Sequence, residues 1–192
     1  MGYSKTKNYG ILKAKNKWIL SLDADEVVSS KLKNEIIRVL DKGSYDGFYI
    51  PRKAFFLSRW IKHCGWYPDY QLRLFKKDKG RFDENKLVHE NVKVNGNIGY
   101  IKNDLLHFPY RSINKYFEQF NKYTSLSANA YLKKGRNVSI STLVLNPIFT
   151  FFKMYILKLG FLDGFAGFTV CLISSFYNFV KYVKLWELKR KK

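Results

Sequence analysis

Apolar and polar residues recur in the first part of the chain with the two periods that distinguish helices from strands. Spacings of three and four predict one helix from Ser4 to about Asn16, and another that begins at Ser29 or Ser30 and ends near Gly43. The second helix has an apolar face formed by Leu32, Ile36, Val39 and Leu40. Short apolar runs predict strands at 18–22, 47–50, 70–75 and 105–108. Helices that alternate with strands predict an α/β domain, which we place at residues 1–110.

Turn residues set further boundaries. Pro51 is predicted to stop the strand at 47–50, because proline cannot donate to a strand ladder. Asn95-Gly96, within the run 92–101, predicts a hairpin, since this dipeptide favours a tight turn between two strands. Ser112 is predicted to start a long amphipathic helix that ends at Gly135.

The last part of the chain, residues 111–192, is predicted to be a helical extension. No charged residue occurs from Gly164 to Val180, a run of 17 residues. This is just short of the ~20 residues that a spanning helix needs. Lysines and aromatic residues such as Trp186 follow it, a combination typical of the membrane–water interface. We predict contact with a membrane surface; the alternatives are a helical hairpin packed on the protein's own core and a true span.

The apolar run Trp18-Ile19-Leu20-Ser21-Leu22 ends abruptly in acidic residues, Asp23-Ala24-Asp25-Glu26. If a buried strand continues through them, its alternation points Asp23 and Asp25 the same way. Two such carboxylates can share one hard divalent cation, Mg²⁺ or Mn²⁺, which in turn binds the phosphates of a substrate. The alternative is a strand followed by an acidic turn, and the spacing alone does not decide between the two.

The charge balance favours an anionic partner. Lys and Arg number 35 against 15 Asp and Glu, a formal net charge of +20. Nucleic acid, an anionic membrane surface and a phosphorylated substrate all fit such a charge. Nucleic acid is the least favoured of the three, because no recognition motif is present and the acidic cluster opposes it. The two cysteines, Cys64 and Cys171, lie far apart and fit a reducing compartment.

Five motifs in order resemble the family 2 glycosyltransferases of the lipopolysaccharide-core type, which are inverting enzymes with the GT-A nucleotide-sugar fold. They are Asp23-Ala24-Asp25, the segment 65–75, Val88-His89-Glu90, Leu106-His107-Phe108, and the tail segments 160–164 and 181–186. The resemblance implies transfer of a hexose, plausibly glucose, from a nucleotide-diphosphate donor to a lipopolysaccharide-core or other lipid-linked glycan acceptor. It also implies a divalent metal and a peripheral location on the cytoplasmic side of the inner membrane.

The resemblance also assigns roles to individual residues. Asp23, Asp25 and His107 would hold the metal, although a lone histidine on an apolar strand is as often a core residue. Glu90 would be the general base that takes the proton from the acceptor hydroxyl, with Asp69 as the second candidate. Donor and acceptor contacts would come from Lys7, Asn8, Gly65, Trp66, Tyr67, Gln71, Arg73 and His89.

The sequence departs from the family pattern at its beginning. Family members start with a strand and loop that bind the nucleoside, and no such segment precedes Gly2. We therefore expect a partial GT-A domain whose donor-binding part, ~70–80 residues for a domain of normal size, lies elsewhere or has been lost. A non-catalytic module that binds a membrane surface is the alternative function.

Overall fold

The computed structural model describes residues 3–41, 43–83, 92–110 and 112–191. The chain divides into two compact units. The first comprises Met1–Lys53 and Pro68–His107, and the second comprises Ala54–Tyr67 and Phe108–Lys192. The domain limits 1–110 and 111–192 stay a prediction.

The first unit begins with helix α1 (Tyr3–Lys13) and contains helix α2 (Ser30–Asp41). The strands of the protein are β1 (Trp18–Leu20), β2 (Glu26–Val28), β3 (Gly47–Phe56), β4 (Arg59–Trp60), β5 (Asp69–Lys76), β6 (Gly80–Phe82), β7 (Val92–Val94), β8 (Ile98–Tyr100) and β9 (Leu105–Tyr110). The main sheet has the order β1-β5-β3-β9-β2, with β4 and β8 also paired to β3, while β6 and β7 form a separate ribbon. Strand β3 pairs antiparallel with β5 and parallel with β8, which confirms a mixed α/β fold.

The core of the first unit lies between α2 and the main sheet. Leu32 and Ile36 of α2 are buried as the sequence predicts, and Val39 and Leu40 pack at the edge of the same cluster. Ser29 caps α2 by accepting a hydrogen bond of 3.2 Å from the amide of Leu32. The partners from the sheet and its loops are Phe48, Ile50, Leu74, Ile101 and Leu105.

Three expectations about strands are wrong. Strand β3 does not stop at Pro51, which lies opposite Tyr70 in the antiparallel register with β5. Proline removes one donor, but the pairs on either side of it keep the register. The predicted hairpin within 92–101 does not form, because β7 pairs with β6 and β8 pairs with β3. Strand β1 ends at Leu20 rather than Leu22, and its residues are half-buried.

The second unit is largely helical. It contains α3 (Ile113–Lys133), α4 (Ile140–Phe152) and α5 (Gly164–Arg190), with a π-helical turn at Lys153–Leu157 and a 3₁₀ turn at Gly160–Asp163. Ser112 caps α3 as predicted. One apolar cluster contains Phe56, Ile61, Cys64, Val170 and Cys171, and another contains Ala128, Tyr182 and Leu185. Both cysteines are buried and free.

Glu35 of α2 anchors the loop before β9, and we expect its loss to lower stability near neutral pH. Its carboxylate accepts hydrogen bonds from the amides of Lys102 (3.0 Å) and Asn103 (2.8 Å) and from the side chain of Asn103. Burial raises the pKa of Glu35, but these hydrogen bonds outweigh it, so the pKa lies below its ordinary value. The unfolded chain therefore binds the proton at higher pH than the folded chain does. The stabilisation by Glu35 is fully present above its ordinary pKa and is lost as the pH falls through its pKa in the folded chain.

The matched pair Glu35→Gln and Glu118→Gln tests this expectation, since Glu118 is exposed on α3. Urea denaturation at a series of pH values is expected to show about 1–2 kcal/mol of lost stability for Glu35→Gln at pH 7, and less near pH 3. An equal loss at both pH values would contradict the role given to the ionised carboxylate.

Candidate functional site

The acidic residues after β1 lie in a turn rather than in a strand. The amide of Asp23 donates to Oε2 of Glu26 at 2.9 Å, and the amide of Glu26 donates to the carbonyl of Asp23 at 3.0 Å. Glu26 then begins β2. The expected alternation therefore does not orient Asp23 and Asp25, because the strand ends at Leu20 and this closed turn sets their directions.

Arg73 of β5 joins two of these carboxylates. Its Nη2 donates to Asp23 and, at 2.6 Å, to Oε1 of Glu26. The side chains of Arg73 and Glu26 are 8% and 0% exposed, so their charges balance each other away from water. Burial lowers the pKa of Arg73, but the carboxylates of Glu26 and Asp23 outweigh it, so the pKa lies above its ordinary value.

Asp23 has a second cationic partner in Lys7 of α1. The distance from Nζ of Lys7 to Oδ1 of Asp23 is 2.9 Å. Burial raises the pKa of Asp23, but Lys7 and Arg73 outweigh it, so its pKa lies below the ordinary value. Asp23 is therefore an ionised carboxylate whose two oxygens already have cationic partners in this structure.

Asp69 lies at the start of β5 and is paired in the same network. Arg52 donates to its Oδ2 from Nη2 at 2.5 Å and from Nε at 2.9 Å, and Gln71 donates to its Oδ1 at 2.7 Å. Nη1 of Arg52 is also 3.3 Å from Oε1 of Glu26. Arg52 thus connects Asp69 to the turn that follows β1, through buried Glu26.

Asp25 and His107 form a second pair beside this network. Nε2 of His107 lies 3.4 Å from Oδ2 of Asp25, because β9 pairs antiparallel with β2 and places His107 opposite Glu26. Asp25 is 39% exposed at its side chain. Burial and the nearby charge of Arg52 lower the pKa of His107, outweighing Asp25 and Glu26. The imidazole is therefore neutral at pH 7 and has a lone pair available for a metal ion.

Asp25 and His107 fit a metal ion that is coordinated partly by the protein and partly by water and substrate, rather than one coordinated by the protein alone. Within the described ranges, no three His, Cys, Asp or Glu side chains cluster closely enough to hold a metal ion. Asp25 and His107 supply one carboxylate and one imidazole. Mg²⁺ commonly takes only one or two protein carboxylates and completes its shell with water and substrate phosphates. The donor set therefore fits a cation that is bound together with a diphosphate.

The remaining predicted contact residues have varied surroundings. Asn8 is buried, and its amide exchanges hydrogen bonds of 3.0 and 2.9 Å with the backbone of Phe82, so it supports the fold. Its role in binding substrate stays a prediction. Gly65, Trp66 and Tyr67 belong to the second unit, where Trp66 packs on an apolar cluster and Tyr67 meets the edge of Trp60.

The predicted base is not covered by the structure: His89 and Glu90 lie outside the described residues. Two residues of the network, Glu26 and Arg52, were not predicted as site residues. Arg52 was missed because the strand at 47–50 was predicted to stop at Pro51. Once β3 is continued past Pro51, its register with β5 sets Arg52 opposite Asp69.

Comparison with known proteins identifies the family. The model of the family "Glycosyl transferase family 2" matches residues 1–105, more than half of the chain. This chain belongs to glycosyltransferase family 2. The matched range contains Asp23, Asp25, Glu26, Arg52, Asp69 and Arg73, while His107 lies just beyond its end.

Three relatives extend the similarity over nearly the whole chain. A lipopolysaccharide core biosynthesis glycosyltransferase, LpsC, of Rhizobium meliloti is 25% identical over 97% of this chain and 70% of its own length. Uncharacterized glycosyltransferases of Rickettsia typhi and Rickettsia bellii are each 27% identical, over 100% and 98% of this chain and 69% and 68% of theirs. The family confirms that the chain is a transferase, which argues against the alternative of a non-catalytic module.

Proposed function

We propose that this glycosyltransferase moves a hexose, such as glucose, from a nucleotide-diphosphate sugar to a lipopolysaccharide-core or other lipid-linked glycan. The observation that carries the proposal is the pairing of Asp25 with His107 beside the turn at Asp23 and Glu26 that Arg73 bonds. The name of the Rhizobium meliloti relative supports the class of acceptor. We place the reaction at the cytoplasmic face of the inner membrane.

Asp25 and His107 would hold Mg²⁺ or Mn²⁺. The ion would supply positive charge to the departing diphosphate, which otherwise leaves with uncompensated negative charge. Asp23 and Glu26 would keep Asp25 in place, because they close the turn that contains it and Arg73 bonds both of them. This division of work assigns coordination to Asp25 and orientation to Asp23 and Glu26, whose oxygens are bonded to Arg73.

Inversion at the anomeric carbon requires a single displacement, so one base must take the proton from the acceptor hydroxyl as the new bond forms. We favour Glu90 over Asp69 for this step. Both oxygens of Asp69 already accept hydrogen bonds, from Gln71 and Arg52. A carboxylate with its lone pairs engaged in this way is better suited to positioning Arg52 than to removing a proton.

The variants Glu90→Gln and Asp69→Asn separate the two candidates. We expect Glu90→Gln to lower the turnover number by about 10²–10⁴-fold, the usual contribution of a general base. Asp69→Asn is expected to lower it less and to lower thermal stability, because Nε and Nη2 of Arg52 then face a neutral amide instead of a carboxylate. Transfer of labelled glucose from UDP-glucose to a truncated lipopolysaccharide core checks this. Full activity of Glu90→Gln would exclude it as the base.

The general test of the proposal is turnover of nucleotide sugars. UDP-, GDP- and ADP-hexoses are incubated with the protein and Mn²⁺, with and without chelator, and release of the nucleoside diphosphate is measured. Release that needs both the protein and the cation supports the proposal. Absence of release with every donor, with and without a lipopolysaccharide core present, would contradict it.

A further inference from the structure

The helices α4 and α5 and the turn between them carry a broad apolar surface. Ile140 is 82% exposed and Phe165 is 81% exposed. Other large apolar side chains at least 40% exposed in this region include Leu145, Phe149, Phe152, Leu157, Leu162 and Leu172. A patch formed by so many large side chains exceeds what water-soluble surfaces usually expose and marks a contact with another apolar phase.

Several polar side chains of α4 and α5 find their hydrogen-bond partners within this hairpin. Oγ of Ser175 donates to the carbonyl of Pro147 at 2.8 Å, and Nδ2 of Asn178 donates to Oγ1 of Thr150 at 2.9 Å. Thr169 donates to the carbonyl of Phe165 in its own helix. Polar groups satisfied in this way are what hydrocarbon surroundings require, because no water is present there to replace a missing partner.

Length alone would allow a different arrangement. The segments Ile140–Leu157 and Gly160–Arg190 are each long and apolar enough to cross a membrane. A crossing hairpin would place the turn at 158–163 on the far side of the bilayer. Whether it does so depends on what that turn is attached to.

The turn is bound to a polar loop of the same unit. The amide of Cys64 donates to the carbonyl of Lys158 at 2.9 Å, and the amide of His63 donates to the buried carboxylate of Asp163 at 2.8 Å. The segment 59–64, which begins with β4 and continues into this loop, carries the exposed residues Arg59 and Lys62. Moving the turn across a bilayer would carry these cations through the hydrocarbon, where a charged side chain is costly.

The opposite end of α5 is bound to α3. Nζ of Lys184 donates to Oδ1 of Asn121 at 2.7 Å and to Oγ of Ser125 at 2.8 Å. Tyr177 and Ser127 share a further hydrogen bond of 2.8 Å. Both ends of the hairpin are therefore attached to parts of the unit that carry exposed polar residues, and the two ends must remain on one side of a membrane.

We propose that the α4–α5 hairpin lies along one leaflet of an anionic bilayer, with its apolar face in lipid and without crossing. The inference deepens the membrane location given under the proposed function and rests on it. Charge identifies the occupant: Lys189, Arg190, Lys191 and Lys192 end a chain of net charge +20, and such clusters bind anionic headgroups. Lys153 and Lys158, both exposed within the hairpin, reach the headgroups from a helix that lies in the interface.

Flotation of the purified chain with phosphatidylglycerol–phosphatidylcholine vesicles tests the apolar face. Leu162→Ser and Phe165→Ser are each expected to lower the partition coefficient about tenfold, because each removes a large side chain from lipid. Leu12→Ser is the matched control, since Leu12 is 72% exposed on α1 of the first unit, and it is expected to bind as the parent does. Absence of binding, or equal binding by all variants, would overturn the proposal.

Thiol labelling tests whether the hairpin crosses. Lys158→Cys and Lys191→Cys place thiols at the turn and at the end of α5, while burial raises the pKa of the native Cys64 and Cys171 thiols and keeps them unreactive. With protein added to sealed vesicles, an impermeant maleimide is expected to label both new sites. Protection of either site until detergent is added would overturn the proposal.

These measurements remain separate from the test of catalysis. Cation-dependent release of nucleoside diphosphate in solution is expected to be unchanged in Leu162→Ser, because Leu162 lies in the second unit and the network lies in the first. Loss of donor turnover with normal flotation would count against the proposed reaction alone. Normal turnover without flotation would count against the membrane inference alone.

Discussion

Replacement of Asp25 by asparagine is expected to lower the turnover number for sugar transfer by about 10³-fold, with Mn²⁺ and donor both saturating. The amide keeps the shape of the side chain but removes the negative charge that would hold the cation beside His107. Charge stabilisation by a catalytic metal is worth several kcal/mol, and each 1.36 kcal/mol changes the rate about tenfold. Steady-state assays of labelled hexose transfer measure the effect.

Asp41→Asn provides the matched control. Asp41 is an exposed residue at the end of α2, so the same chemical change is made in the same unit, outside the network. It is expected to retain the parent turnover number within about twofold, as surface substitutions usually have little effect. A fall of less than about threefold in Asp25→Asn would remove Asp25 from the catalytic site.

Replacement of Arg73 by methionine is expected to lower the free energy of unfolding by about 3–5 kcal/mol. Arg73 is buried and bonds Asp23 and Glu26, and Glu26 has no exposed side-chain surface. Removal of one partner from a buried ion pair leaves the other charge uncompensated, which costs about this much. Arg52 retains its 3.3 Å contact with Glu26, so we expect the lower half of that range. Urea denaturation followed by circular dichroism measures the loss.

Two further variants show whether charge causes the loss. Arg38→Met removes an exposed arginine of α2, whose Nε donates to the carbonyl of Asn34 in its own helix, and is expected to change stability by less than about 0.5 kcal/mol. The double variant Arg73→Met with Glu26→Gln is expected to recover part of the loss, because the uncompensated charge is removed as well. No recovery would assign the loss to packing rather than to charge.

Elements with strong periodicity follow directly from the sequence. The apolar face of α2, the strand at 70–75 and the Ser112 cap of α3 are each predicted from local signals, and the structure confirms them. Strand partners are not local signals. The turn at Asn95-Gly96 looks like a hairpin, yet β7 and β8 find partners in different sheets, because long-range packing rather than the dipeptide decides the pairing.

The candidate site shows the same division. Sequence motifs identified Asp23, Asp25, Asp69, Arg73 and His107, which the first unit brings into one neighbourhood. They did not indicate that Asp23 has cationic partners while Asp25 faces His107. Asp23 is paired because the register of β1 with β5, which sets Leu20 opposite Leu74, brings Arg73 beside the turn, where Lys7 of α1 also bonds it. An ion-pair network depends on strand register, and register is decided by the whole sheet.

The most direct test is the binding of Mn²⁺, measured by electron paramagnetic resonance in the presence of a nucleoside diphosphate. We predict about one bound ion per chain, lost in both Asp25→Asn and His107→Ala and retained in Asp41→Asn. Binding of the same amount of Mn²⁺ by the parent, Asp25→Asn and His107→Ala would contradict a cation held by Asp25 and His107.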